Sequence, residues 1–478
     1  MADDLAYLSG YASLRVFRSG ALSPVALMEA TLARLETTGP QLNAWTETWP
    51  EAAHDAARGA EARYAAGTAR PLEGLPLAVK EEMRLAGTRR TSGSLVHADR
   101  VDGETDIYVQ RLIDAGAIPI GKTTTPEFCI LGTTHSRRYG VTRNPWDPAR
   151  SPGGSSGGSG AALAAGAAVL ATGTDIGGSI RIPASCCGVA GFKPPYGRNP
   201  EIPPFNLDYY SHTGPMARSV ADLALMQNVT NGQWEGDIAS LRERVILPTD
   251  APPDLRGWRI GWSADFGIYE LEADVRANLL RALDVFADLG AELEEVSFTL
   301  PTEAPRVMKG YLEHLCGAGV AALLPEHRAQ LTDYAVAFGE ASLRSTPAAF
   351  YGANEMASSL YERFGPMMAR LDALLCPTLA ISAPPAEFSL VDEQVIFDGV
   401  PRRMAEHDWC LTLLFNMFSR CPVLSVPSGF DRTGLPTGIQ IAARAYHDEA
   451  AIAAGLAFEA AQPWLDRPAN RPLQELAA

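Results

Sequence analysis

Two periods of apolar and polar positions alternate along the 478-residue chain. Ser23-Pro24 precedes Val25, Leu27, Met28 and Leu32. A serine that can cap free amides, a proline at the first helical position and apolar residues at helical steps predict a helix. Glu51 to Ala66 is alanine-rich and polar on one side, so residues 1–70 read as helical. Leu75-Pro76-Leu77-Ala78-Val79 is then a short unbroken apolar run that ends in Lys80. That is the pattern of a buried strand carrying a charge to its end. Val109 to Ala115 reads as helix and Ala117-Ile118-Pro119-Ile120 as strand. Thr123 to Ser151 has few periodic apolar positions and contains Asn144-Pro145-Trp146-Asp147-Pro148, which predicts a long loop. Loops of this length inside compact domains are often functional.

The middle of the chain breaks this rhythm. Gly153-Gly154-Ser155-Ser156-Gly157-Gly158-Ser159-Gly160 opens it, and Ala161 to Ala171 follows, almost all small residues. The small side chains predict a central buried helix packed closely on its neighbours. Gly173-Thr174-Asp175-Ile176-Gly177-Gly178-Ser179 forms a second glycine-rich turn. Further on, Arg259-Ile260-Gly261-Trp262, Ala291 to Val296, Leu374 to Thr378, Pro422 to Pro427 and Gly438 to Ala442 read as strands. Asp274 to Leu289, much of 300–370 and Asp448 to Ala461 read as helices. Strands alternating with helices predict an α/β architecture. There is no internal repeat, charge block or linker, so residues 1–478 read as a single large domain. Its parts are N-terminal helices (1–70), a core (71–225), a variable pocket region (226–410) and C-terminal core strands with a helix (411–478).

Composition narrows the function classes. The chain is 46% hydrophobic and 20% charged, as soluble globular proteins are. Its formal net charge of −16 repels phosphate backbones, and no lysine or arginine cluster makes a local exception, so no nucleic-acid partner is expected. The seven cysteines form no CxxC pair, which leaves neither a zinc ribbon nor a redox motif. Cys186-Cys187 reads as two small buried residues. No metal and no cofactor are expected. The N-terminus shows no signal-peptide pattern and the 161–171 stretch is too short to span a bilayer, so no membrane partner and a cytoplasmic location are expected.

The glycine turns carry the candidate chemistry. Amide hydrolysis needs a nucleophile, a base to take its proton and donors for the developing oxyanion. Ser179 follows Gly177-Gly178, whose missing side chains let backbone N–H groups face a substrate. In isolation, a glycine-serine run is usually a linker and a lysine after an apolar run is usually a surface strand end. Here the three features occur together and in order. A phosphate loop is excluded because no Gly-Lys-Ser/Thr follows. Gly153 to Gly157 also fits the G-x-S-x-G nucleophile elbow, but the elbow needs a preceding buried strand. Asp147-Pro148-Ala149-Arg150-Ser151-Pro152 cannot be one.

With these motifs the chain resembles the amidase signature family. The matching segments are Lys80, Gly153 to Ser159, Gly173 to Arg181 with Pro183, Leu42-Asn43-Ala44, Asn144 to Asp147, Lys193-Pro194 with Gly197-Arg198, Gly214 to Asp222 and Gly434 to Gln440. The resemblance covers nearly the whole chain. It implies a central mixed β-sheet covered by helices on both faces, and a Ser–Ser–Lys triad. Lys80 would be the base, Ser155, after a cis peptide bond, the proton bridge, and Ser179 the nucleophile. The backbone N–H groups of Ile176, Gly177, Gly178 and Ser179 would be the oxyanion donors. Lys80 must then be neutral when it acts, and the intermediate is an acyl-enzyme resolved by water. Two positions depart from the family pattern: Glu81 and Ser211 stand where the family has aspartate.

The expected partners are a small amide and water, with a homodimer left open. The expected reaction is hydrolysis of a small, neutral, hydrophobic amide or a related carbamate, anilide or hydrazide. Phe128, Cys129, Ile130, Leu131, Gly132, Tyr209, Tyr210 and residues between 310 and 415 are the expected pocket. The alternative is the glutaminase subunit of an aminoacyl-tRNA amidotransferase, which shares these motifs.

Overall fold

The computed structural model describes residues 2–252, 254–464 and 471–473. In it the first apolar run is a strand, Pro76–Lys80, with all five residues buried. An unbroken apolar run needs cover on both faces, and it lies inside an 11-stranded sheet. In chain order the strands are β1 (Trp45–Thr48), β2 (Pro76–Lys80), β3 (Ile118–Thr123), β4 (Leu170–Thr174), β5 (Ala190–Lys193) and β6 (Thr213–Ala217). They continue with β7 (Arg259–Trp262), β8 (Glu292–Glu295), β9 (Ala373–Pro377), β10 (Val423–Phe430) and β11 (Pro436–Ala442). Across the sheet the order is β1-β3-β2-β4-β6-β5-β10-β11-β9-β7-β8. The β3/β2, β2/β4, β9/β7 and β7/β8 pairs are parallel and the others antiparallel, so the sheet is mixed. Helices flank it. Val220–Thr230 packs on β6, Arg181–Cys187 on β10 and β11, and Ala273–Asp288 on β10.

Several expectations hold to within a residue or two. Helix Pro24–Leu42 begins as predicted, with Ser23 accepting from the Val25 N–H at 3.0 Å and a proline in its first turn. Helix Pro50–Ala65, strand β7 and helix Asp448–Ala461 also fall where the pattern puts them.

Others are corrected. The N-terminal seventy residues are not all helical. Asn43 caps the Pro24–Leu42 helix in the left-handed region (φ 49°), and the chain turns out to form β1 on the sheet edge. The alanine-rich run is not one helix either. It divides into helix Gly157–Ala164 and strand β4. Gly166 (φ 74°) ends the helix: its N–H bonds back to Leu163 C=O and the Ala167 N–H to Ala162 C=O, leaving Leu170 free to enter the sheet. Within the 123–151 segment lie a 3-10 turn, Glu127–Cys129, and a two-stranded ribbon, His135–Ser136 with Gly140–Val141.

Candidate active site

Strands β2 and β4 are parallel neighbours, pairing Leu77 with Leu170 and Ala78 with Ala171. Their carboxyl ends therefore leave the sheet together, where open α/β sheets place ligands. This edge receives Lys80 from β2 and Thr174 from β4. Lys80 is fully buried. Its Nζ donates to Ser155 Oγ at 2.7 Å and to Thr174 Oγ1 at 2.6 Å, and it lies 2.8 Å from Glu82 Oε1.

Ser155 arrives on the first glycine turn, immediately before helix Gly157–Ala164, and the Gly154–Ser155 peptide is cis. A Cβ on Gly154 would sit 2.6 Å from the carbonyl oxygens of Leu131 and Thr133, so only glycine fits there. Ser179 arrives on the second turn, before helix Arg181–Cys187. The two turns are joined by a bond from the Ser156 N–H to the Ser179 C=O at 3.2 Å.

Asp175 shapes the second turn. Its carboxylate accepts from the Gly178 N–H at 2.8 Å, from Asn416 Nδ2 at 2.8 Å and from two nitrogens of Arg181 at 2.8 and 2.9 Å. Asp175 and Arg181 are both fully buried. Burial pushes the Asp175 carboxyl up, but the Arg181 guanidinium and the Asn416 bond outweigh it and hold the group far below the ordinary aspartate value. Thr412 Oγ1 anchors the turn from the far side by donating to Gly177 C=O at 2.7 Å.

This arrangement corrects one expectation. The Gly178 amide is already committed to Asp175, so it does not face the cavity as an oxyanion donor. Among the described residues the amides of Ile176, Gly177 and Ser179 donate to no protein acceptor. These three remain available.

Ser155, Thr174, Ile176, Gly177 and Ser179 form the floor of a cavity of about 500 Å³. Phe128, Cys129, Ile130, Leu131 and Gly132 all line it. Phe128 and Cys129 sit in the left-handed region (φ 54° and 59°), a conformation uncommon for such residues and often found at functional sites. Tyr209 and Tyr210 are not part of the lining. Tyr210 is buried and stacks on Tyr311 with ring centroids 3.8 Å apart, and Tyr209 packs against Tyr196. One wall is apolar, formed by Leu312, Val320, Leu323, Phe338 and Leu413. Charged groups also reach the cavity, among them Glu82, Arg90, Glu201 and Lys309, so it is less uniformly apolar than the sequence suggests. Burial pushes the Glu201 carboxyl up to about 8, against hydrogen bonds from Ser211 and Thr213.

A family model described as Amidase matches residues 26–452. The chain belongs to the amidase family. It is therefore a hydrolase of carbon–nitrogen bonds in amides, of the signature type. The amidase is 32% identical to an acylamidase of Rhodococcus erythropolis over 469 residues, covering 97% of each chain. It is 34% identical to a glutamyl-tRNA(Gln) amidotransferase subunit of Chloroflexus aggregans, covering 97% of this chain and 98% of that one. Among solved structures it resembles a bacterial aryl acylamidase of the amidase signature enzymes. That likeness has a TM-score of 0.87 at 29% identity, covering 98% of this chain and 99% of the other.

The sequence reading of the amidase overlooked Glu82. It attended to Glu81, which turns away: the buried Glu81 carboxylate accepts from the Thr91 N–H. A tight turn after Lys80, closed by the Met83 N–H on Lys80 C=O at 3.0 Å, carries Glu82 back over the lysine instead. The second acidic residue after a strand-end lysine was the available signal. Among the described residues no helix is long and apolar enough to cross a membrane.

Proposed function

We propose that this amidase cleaves the C–N bond of a small amide with an apolar, aryl or alkyl acyl group, through an acyl-enzyme on Ser179. The observation that carries the reading is Lys80 Nζ on Ser155 Oγ at 2.7 Å, beneath a cavity whose floor also presents Ser179. Ser179 attacks the carbonyl carbon, its proton passes to Ser155 and that of Ser155 to Lys80. The oxyanion is received by the amides of Ile176, Gly177 and Ser179. The leaving amine takes a proton back along the same path, and water resolves the ester. The apolar wall of Leu312, Val320 and Phe338 supports a hydrophobic acyl group, as does the likeness to proteins named acylamidase and aryl acylamidase.

The experiment is intact-mass spectrometry after incubation with a fluorophosphonate, on wild type and Ser179→Ala. A single adduct on wild type that maps to Ser179 and is absent from the variant supports the reading. An adduct on another residue defeats it.

A second reading is supported by the similarity to the glutamyl-tRNA(Gln) amidotransferase chain of Chloroflexus aggregans. On that reading the chain hydrolyses glutamine and requires a partner. Turnover of an anilide by the chain purified alone, with no glutaminase activity, separates the two.

A further inference from the structure

Glu82 is not required by the three-residue scheme, yet it touches that machinery. Its Oε1 lies 2.8 Å from Lys80 Nζ and accepts from Thr174 Oγ1, to which Lys80 itself donates at 2.6 Å. Lys80, Thr174 and Glu82 thus close a ring of polar contacts at the carboxyl ends of two parallel strands. An ammonium has three N–H donors. Here they are directed to Ser155 Oγ, Thr174 Oγ1 and Glu82 Oε1. The lysine is fully buried and the Glu82 side chain is 20% exposed, at the cavity surface.

We propose that Glu82 is a positioning residue that keeps Lys80 in its ammonium form in the empty enzyme and so sets the pH above which the amidase reaction runs. The inference rests on the reading of Lys80 as the base. An opposite charge at this distance favours the charged form of both partners. Burial works against the Glu82 carboxylate, but Lys80, with hydrogen bonds from Cys129 and Thr174, outweighs it and holds Glu82 below the ordinary glutamate value. Glu82 is therefore a poor acceptor for the lysine proton and stays ionised. Among the described residues, the other titratable group facing the pair is the Cys129 thiol, from the turn Glu127–Cys129, which burial pushes well up and keeps neutral. Ser155 and Thr174 meet the pair as neutral hydroxyls.

The proton balance follows. A lysine that donates to Ser155 Oγ cannot receive from it. One proton must leave Lys80 for water, giving an amine whose lone pair faces the Ser155 hydroxyl. Ser179 Oγ then bonds to the carbonyl carbon, its proton moves to Ser155, and the Ser155 proton moves to Nζ. Glu82 remains a carboxylate throughout: it opposes the first loss and the later return of the proton to the leaving amine, and favours the proton's arrival on Nζ between them.

The test is kcat/KM against pH with a neutral anilide, for wild type, Glu82→Gln, Glu82→Ala and Glu82→Asp, each shown folded by circular dichroism. Where turnover is too slow to follow, the rate of fluorophosphonate labelling of Ser179 is read against pH instead. Neutralising Glu82 moves the acidic limb of the Gln and Ala profiles to lower pH by about one unit or more. Glu82→Asp leaves the limb near its wild-type place. Limbs that superimpose for wild type, Gln and Ala overturn the proposal, because a purely structural role lowers the plateau without moving the limb. Lys80→Met, assayed alongside, separates the two levels. If it keeps wild-type activity, the base reading falls and this inference with it. If it is inactive while the Glu82 limbs superimpose, only the inference falls.

Discussion

The floor and the wall of the cavity are built differently. The floor consists of two glycine turns whose backbone groups are committed one by one: Gly178 N–H to Asp175, Gly177 C=O to Thr412, Ser179 C=O to the Ser156 N–H. The wall comes from side chains on helices Ala304–Ala321 and Asp333–Arg344 and the segment between them, of which Leu312, Val320, Leu323 and Phe338 reach the cavity, joined by Leu413 from helix Leu413–Met417. The floor depends on backbone geometry that few residue types can adopt, while the wall needs only apolar side chains of suitable volume. Floor changes should decide whether the reaction occurs, and wall changes which amide is accepted.

Ser179→Ala should give the largest effect, a loss of about 10⁴-fold or more in kcat with the melting temperature unchanged, since members of a catalytic unit act together. Lys80→Met should fall as far, and steady-state kinetics beside a thermal melt checks both. Next is the support beneath the floor. Removing one partner of a buried ion pair costs about 3–5 kcal/mol, so Arg181→Met should lower the urea midpoint markedly and reduce Ser179 labelling with it. The sign with pH is fixed by the depressed Asp175 carboxyl. Its stabilisation is present above the ordinary aspartate value and is lost as pH falls through its folded value, a dependence Asp175→Asn should remove.

A wall change should be milder and selective. Phe338→Ala should lower kcat/KM for an aryl acyl amide by roughly 10- to 200-fold, leave a short acyl amide nearly unaffected and leave Ser179 labelling intact. Equal losses on both substrates would erase the distinction between wall and floor. A further change, read in stability and not in turnover, concerns Glu201, whose folded value is raised to about 8. Its stabilisation is complete below the ordinary glutamate range and is lost as pH rises toward 8. Glu201→Gln, which cannot ionise, should therefore gain stability relative to wild type across that window, measured by melts at several pH values.

Much of the floor was legible in the residues. Lys80 at the end of an apolar run and Ser179 after a glycine pair stood out because strand ends and glycine turns leave marks in sequence, whereas Ser155 was singled out among the serines of its run only by the likeness to the amidase signature family. Short central strands such as β5 and β6 went unread. They carry Gly191, Gly214 and Pro215, and only their neighbours in the sheet make them strands. Tyr209 and Tyr210 were misplaced because an aromatic side chain fits a core stack as well as a pocket. Glu82 was missed because its direction depends on one turn hydrogen bond after Lys80.

The chain by itself determined the α/β class and most element positions, which follow from local periodicity, and its likeness to the amidase signature family pointed to Lys80, Ser155 and Ser179. Tertiary structure alone decided the rest: that β2 and β4 are parallel neighbours, that Asp175 takes the Gly178 amide, and that Glu82 rather than Glu81 faces Lys80. Those facts depend on contacts between segments far apart in the chain or on the sense of a single turn, and no local pattern of residues encodes either.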